Sequence, residues 1–364
     1  MIELFILDAY MPHIKLIRDF ARKDCAPLAL CNDIPLNTCD DLMQKAGEIG
    51  CFNLTEDYEI TPGLLAQILA TISEVDASIP VMIFTHTAAW SILSEALDGS
   101  ELSQFQNEID QTANIPLAFQ SYSCLDEIDM PQAEEHNGKF FLKGKVSNLV
   151  LANKARFAVI PARIKKYPGV TYFWVDLTDK STKLKAVATL GNHACGMGDL
   201  ELDQTSAILI GRKNKGEEYF DNIVGKMAMA AAAISTGIMN GSLKTALEYT
   251  AQRQQGGRLI NEWPEVQALL GNMGAQVRTA ESALHHLCGI SNIKDADFIR
   301  SACAAALQLC QMACYVTSDG AQLLGGYGYM KDFGQEKRIR DAVQTSMLLG
   351  LPAYRKTLLF EMMI

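Results

Sequence analysis

Leu324-Gly325-Gly326-Tyr327-Gly328-Tyr329-Met330, with Glu336 and Arg340-Asp341-Ala342 downstream, is the stretch that decides how this chain is read. A Gly-Gly-x-Gly turn lets backbone come close to a large ligand, because no Cβ stands in the way. Helical patterns flank it on both sides, so the turn joins helices rather than strands. The full spacing runs Gln322-x-x-Gly325-Gly326-x-Gly328, then Glu336, then Arg340-Asp341. A glycine turn alone is a weak sign. Charged residues at fixed offsets beyond it make a signature.

Composition sets the outer bounds. The 364 residues can bury a large core and form two or three domains. Hydrophobic residues make up 49% and charged residues 20%, an ordinary globular balance. The net charge of -10 argues against a nucleic-acid partner, since phosphate binding needs a basic face. No run reaches the roughly 18 uninterrupted apolar residues of a membrane span. Met227 to Ile234 is short and Ala-rich, and reads as a tightly packed helix. Met1-Ile2-Glu3-Leu4 lacks the basic segment and apolar run of a secretory signal. The ten cysteines are irregularly spaced with no Cys-x-x-Cys, and Cys303, Cys310 and Cys314 share one helical face. Free thiols of this kind fit a reducing cytoplasm. His285-His286 has no partner at ligand spacing, and no metal site is expected.

Three zones follow one another. Residues 1–112 show helical periodicity, as in Ile17, Phe20 and Ala21, and again in Leu42, Ala46 and Ile49. Residues 113–215 carry short β-branched and aromatic runs such as Phe157-Ala-Val-Ile-Pro and Val170-Thr-Tyr-Phe-Trp-Val-Asp. Asn137-Gly138 marks a hairpin, because both residues tolerate positive φ. In residues 216–364 long helical patterns return, over Ala228 to Arg253, Pro264 to Cys288, Asp295 to Gly320, and Gln335 to the end. The expected class is α+β: an N-terminal helical domain, a middle antiparallel β-barrel or sandwich, and a C-terminal four-helix bundle.

This order and the quoted signature resemble the acyl-CoA dehydrogenase flavoproteins, over nearly the whole chain. Asn137-Gly138-Lys139 to Lys145 looks like that family's hairpin entering the flavin-facing strand, and Tyr249-x-x-x-Arg253-x-x-x-Gly257 matches in spacing. The resemblance implies FAD held at a homotetrameric or dimeric interface. It also implies a carboxylate base that removes an acyl-CoA α-proton while the β-hydride moves to the flavin. Arg253 matches the arginine that pairs with the FAD pyrophosphate. Gln322, Gly325 and Gly326 match the turn that touches a neighbouring subunit's FAD.

Other positions depart from the family. The aromatic expected between Arg253 and Gly257 is Gly256, and an expected glutamine is Pro264. The glycine-rich flavin stretch is Gln120 to Asp126, without glycine. The flavin-facing Trp-Ile-Thr is Asn148-Leu149-Val150, and Val150 has no hydroxyl to donate. The base position is Leu349, and the alternative base position used by some relatives is Met227. Leu351 and Ala353 replace the polar pair that follows the glutamate.

The expectation is therefore a non-catalytic subunit of a heteromeric FAD-dependent acyl-CoA dehydrogenase. It would complete the FAD site of a paralogous subunit acting on an acyl-CoA thioester, with an electron-transfer flavoprotein as a further partner. The alternative is a homo-oligomeric lyase, decarboxylase or atypical dehydrogenase. For altered chemistry His193 and Cys195 are the nominated acid–base pair; for a complete dehydrogenase with an unrecognised base Glu361 or Asp341 would serve, although Asp341 reads better as anchoring its helix through Arg340-type pairing.

Overall fold

The computed structural model describes residues 11–29, 39–52, 61–112, 115–119, 130–165 and 167–364. Contacts divide the chain into two units that interleave in sequence. One comprises Met1–Val81, Leu190–Ala194 and Ala228–Leu348; the other comprises Met82–Thr189, Cys195–Met227 and Leu349–Ile364. These bounds do not follow the order of the three zones, because two long helices each run through a boundary.

The second unit is built on six strands: β1 (Gln132–His136), β2 (Lys139–Leu149), β3 (Phe157–Ile164), β4 (Val170–Asp176), β5 (Thr182–Ala186) and β6 (Gly198–Ile210). Asn137 and Gly138 have φ of 52° and 77°, the paired left-handed turn of a β1–β2 hairpin. The strand order is β2-β1-β3-β4-β6-β5, and β2 also pairs with β6, so the sheet closes on itself. It is a barrel rather than a sandwich. One edge of β6 carries β2; its other edge carries β5 against Gly198 to Leu202 and then β4 against Ala207 to Ile210. All pairings are antiparallel except β1 with β3. Phe140, Leu142, Ile160, Phe173, Val175, Leu200 and Leu202 fill the interior, and on the opposite face Trp174 packs against Phe157 and Phe105, so β3 and β4 are covered on both faces and read as nearly unbroken apolar runs.

The other unit is helical. Its helices are α1 (Met11–Phe20), α2 (Cys39–Glu48) and α3 (Pro62–Ser73), together with the start of α4 (Ser78–Ala96), which precedes α5 (Gly99–Thr112). It continues with most of α6 (Gly216–Thr250), then α7 (Pro264–Cys288), α8 (Ala296–Leu324) and α9 (Gln335–Thr345). Thr61 caps α3, its hydroxyl accepting from Leu64 N, with Pro62 at the first helical position. Asp295 caps α8 in the same way. The helix expected from Ala228 begins twelve residues earlier, at Gly216, because Glu217 and Glu218 suit a helix N-terminus although they break the apolar pattern. α6 is long and apolar enough to span a membrane, yet 89% of its apolar window is buried inside the fold. Gly237 and Gly241 sit one turn apart on α6, where α3 crosses. A Cβ on either would strike the carbonyl oxygens of Ala70 and Glu74. The last expected helix is broken: Leu349 and Gly350 turn at φ of 66° and 100°, and α10 (Pro352–Glu361) starts at a proline.

Candidate functional site

Where α6 ends, Arg253 N donates to Tyr249 O, and Arg253 O accepts from Ile260 N. Between these bonds lies a minimal hairpin, β7 (Gln254–Gln255) and β8 (Arg258–Leu259), turned by Gly256 and Gly257 at φ of 65° and 85°. The end of α8 stands nearby. Gly325 caps it at φ 58° and ψ -132°, a conformation open to glycine, and its N–H donates to Gln322 O. Gly328 passes so close to the backbone of Ala321 that a side chain has no room. Tyr327 packs against Tyr249 and Phe333, with ring centroids 6.2 and 4.9 Å away, which fixes the turn between α6 and α9.

These segments line an open cavity of about 770 Å³. Arg253, Gln322, Gly325 and Gly326 all line it, together with Trp263 and Glu265. The structure thus brings all four nominated cofactor residues together. The Arg253 side chain is exposed and bonds to no other described residue. A Cβ on Gly325 or Gly326 would meet nothing within 4 Å, so both present bare backbone. The cavity offers one unpaired cation, a bare glycine turn and an indole. That set suits a phosphate-bearing ligand with an aromatic end.

In the second half of the signature Asp341 is buried, and Glu336 and Arg340 are half-buried. Lys337 Nζ lies 2.6 Å from Asp76 Oδ2 and also bonds to Asp341 Oδ2. Asp76 caps α4 through Ser78 N and Ile79 N, and Asp341 Oδ1 accepts from Asn192 N. Burial alone would pull Lys337 down, but the two carboxylates outweigh it and hold its pKa above the usual lysine range. Burial pushes Asp341 up, against the pull of Lys337. Arg340 bonds instead to Glu336, at 2.7 and 3.0 Å. Asp341 is therefore anchored by Lys337 and not by Arg340, and its carboxylate is fully engaged. Gln335 Nε2 ties α9 to α6 and α8 through Ser242 Oγ and Thr317 O.

The remaining nominated positions differ in character. Val150, Leu349 and Met227 are buried apolar side chains, and Leu349 takes a left-handed φ that leucine rarely adopts. Asn148 is also left-handed, and its N–H donates to Asp199 Oδ1. The stretch Gln120 to Asp126 lies outside the described residues. His193 is exposed with its ring at Leu190 O, while Cys195 is completely buried. Glu361 is exposed. Two features were not singled out in the sequence: Trp263, and the Asp76–Lys337 pair. The signal for Trp263 was the missing side chain at Gly256.

In sequence the closed barrel is inserted between helical segments, and within the helical unit a glycine turn and an arginine line one cavity. A family model for the acyl-CoA dehydrogenase C-terminal domain matches residues 214–358. The acyl-CoA dehydrogenase of Bacillus subtilis (strain 168) is 27% identical over 362 residues, covering 92% of this chain and 93% of its own. A solved chain from work on the electron-transferring flavoprotein of Acidaminococcus fermentans superposes with a TM-score of 0.90 at 19% identity, covering 100% of both chains. The acyl-CoA dehydrogenase from Bacillus anthracis, solved in complex with FAD, gives a TM-score of 0.86 at 18% identity, covering 97% of this chain and 68% of its own. Residues 214–358 thus match the acyl-CoA dehydrogenase C-terminal domain, and over most of its length the chain is similar to acyl-CoA dehydrogenases.

Proposed function

We propose that this chain is the non-catalytic subunit of a heteromeric, FAD-dependent acyl-CoA dehydrogenase in the cytoplasm. Its Arg253–Gly326 cavity completes the FAD site of a paralogous catalytic subunit. The observation that carries this reading is the split between the two sets of positions. The set matched to the dinucleotide's phosphates stays polar and accessible: Arg253 with its unpaired guanidinium, and bare backbone at Gly325 and Gly326. The set matched to the flavin ring and the base has become buried hydrocarbon at Val150, Leu349 and Met227.

The residues present fit part of FAD. Arg253 would hold the pyrophosphate, since a planar, permanently charged fork suits it. Backbone at Gly325 and Gly326 would approach closely. FAD supplies the hydride acceptor of the reaction when bound. Val150 offers no hydrogen bond toward a flavin, and neither Leu349 nor Met227 can accept an α-proton, a step that needs a desolvated carboxylate. The proton from the acyl-CoA thioester must go to a carboxylate of the paralogue. An electron-transfer flavoprotein is the expected electron acceptor.

Expression alone and together with a neighbouring paralogue tests the proposal. Alone, the chain should be colourless and inactive. With the paralogue, a yellow heteromer should copurify and oxidise acyl-CoA. A homo-oligomer of this chain holding one FAD per subunit overturns the proposal and favours a lyase or atypical dehydrogenase.

A further inference from the structure

The aromatic residue that the family resemblance places at position 256 is absent, and the structure shows what fills its space. A Cβ built on Gly256 would stand 2.9 Å from Cζ2 of Trp263. The indole thus takes the volume that a side chain at 256 would need. It is held from several sides. Its Nε1 donates to Gln255 O at 3.3 Å, and the Arg258 guanidinium covers one face with Cζ 3.7 Å from the ring centroid. Trp263 lines the cavity it shares with Arg253 and Gly325, while Arg258 backs the ring without lining it. A ring already fixed in this way loses little freedom when a ligand stacks on it.

Resting on the cofactor reading above, we propose that Trp263 is the aromatic wall of the cavity and that the purine of the dinucleotide stacks on it. The purine is favoured over the flavin ring because of where the rest of the dinucleotide must go. Arg253 in the same cavity takes the diphosphate, which carries the adenosine on one side and the flavin on the other. In the reading above the flavin ring lies with the paralogue's base, so the end left for this cavity is the adenosine. Arg258 is a positioning residue that holds the indole plane.

The test uses the heteromer freed of flavin and titrated with FAD, ADP and FMN, by calorimetry and tryptophan emission. The chain has three tryptophans, so Trp263→Phe and Trp263→Leu heteromers are compared with wild type. FAD and ADP should bind wild type with quenching, and FMN should bind poorly. Trp263→Leu should bind FAD and ADP about tenfold more weakly, the worth of one stacked base. Trp263→Phe should bind nearly normally but without the Trp263 part of the quench, which keeps the test decisive if the leucine variant fails to fold. Equal affinity of wild type and Trp263→Leu for FAD and ADP overturns the role of Trp263 and leaves the cofactor reading intact. FMN affinity that falls with Trp263→Leu while ADP affinity does not overturns the choice of purine. Absence of FAD and ADP binding to the wild-type heteromer overturns both readings.

Discussion

Gln322 to Gly328 and Glu336 to Asp341 belong to one sequence signature, yet the first part lines a cavity while the charges of the second are buried or half-buried and bonded to one another. Around Gly325 the structure leaves backbone bare and Arg253 unpaired. Around Asp341 the charged groups have partners: Lys337 with two carboxylates, Arg340 with Glu336. A motif can therefore persist for two separate reasons. One part holds α9 to its neighbours, and the other faces whatever binds the cavity. Identity of sequence does not separate them, but burial does.

The largest expected effect falls on the buried part. Lys337→Met should cost about 3–5 kcal/mol in urea unfolding, because it strands Asp76 and Asp341 as unpaired buried carboxylates. A loss below about 1 kcal/mol would mean that the two parts are alike after all. The second test lies outside the signature and asks whether acid sensitivity tracks buried charge in general. Burial holds the His86 pKa at about 4, below its usual 6.5, and its Nδ1 accepts from Ile115 N only when neutral. The folded pKa is depressed, so this stability is complete above pH 6.5 and drains away as pH falls toward 4. The loss should reach about 3 kcal/mol across that window, and His86→Gln should flatten it.

On the cavity side, Arg253→Ala should weaken FAD binding by about 2 kcal/mol, roughly thirtyfold, through loss of a charged hydrogen bond. Its unfolding midpoint should stay put, since the side chain holds nothing else. A destabilised Arg253→Ala protein would instead place that residue with the scaffold. The smallest effect is expected for Gly325→Ala, about 1 kcal/mol of stability, from forcing an alanine into a glycine-only conformation. Open space around Gly325 rules out a larger steric cost.

Local chemistry made much of the fold legible. Asn137-Gly138 forms its hairpin, and Pro264 to Cys288 is a helix over the expected span. The four cavity residues were also readable, because their spacing survives within short segments. Closure of the barrel was not, since pairing β2 with β6 joins strands some sixty residues apart that are locally indistinguishable from sandwich strands. Nor was the bond between Asp76 and Lys337, separated by 261 positions. The break at Leu349 escaped because leucine does not announce a left-handed turn, although Gly350 and Pro352 beside it do. Trp263 was hidden for a different reason: its neighbour in space matters more than its place in the helical pattern.

Gly237 and Gly241 impose a rule on how this chain can lengthen. Both glycines must point at the carbonyls of α3. One residue added to α6 between the boundary at Met227 and Gly237 would turn the preceding part of the helix by about 100° relative to that crossing. Whatever lies on either side of the insertion would then be out of phase. A substitution on α6 away from the two glycines leaves this phase unchanged, whereas an insertion does not. Length variation among relatives of this chain should therefore collect in the segments before and after α6 and leave the helix itself at constant length.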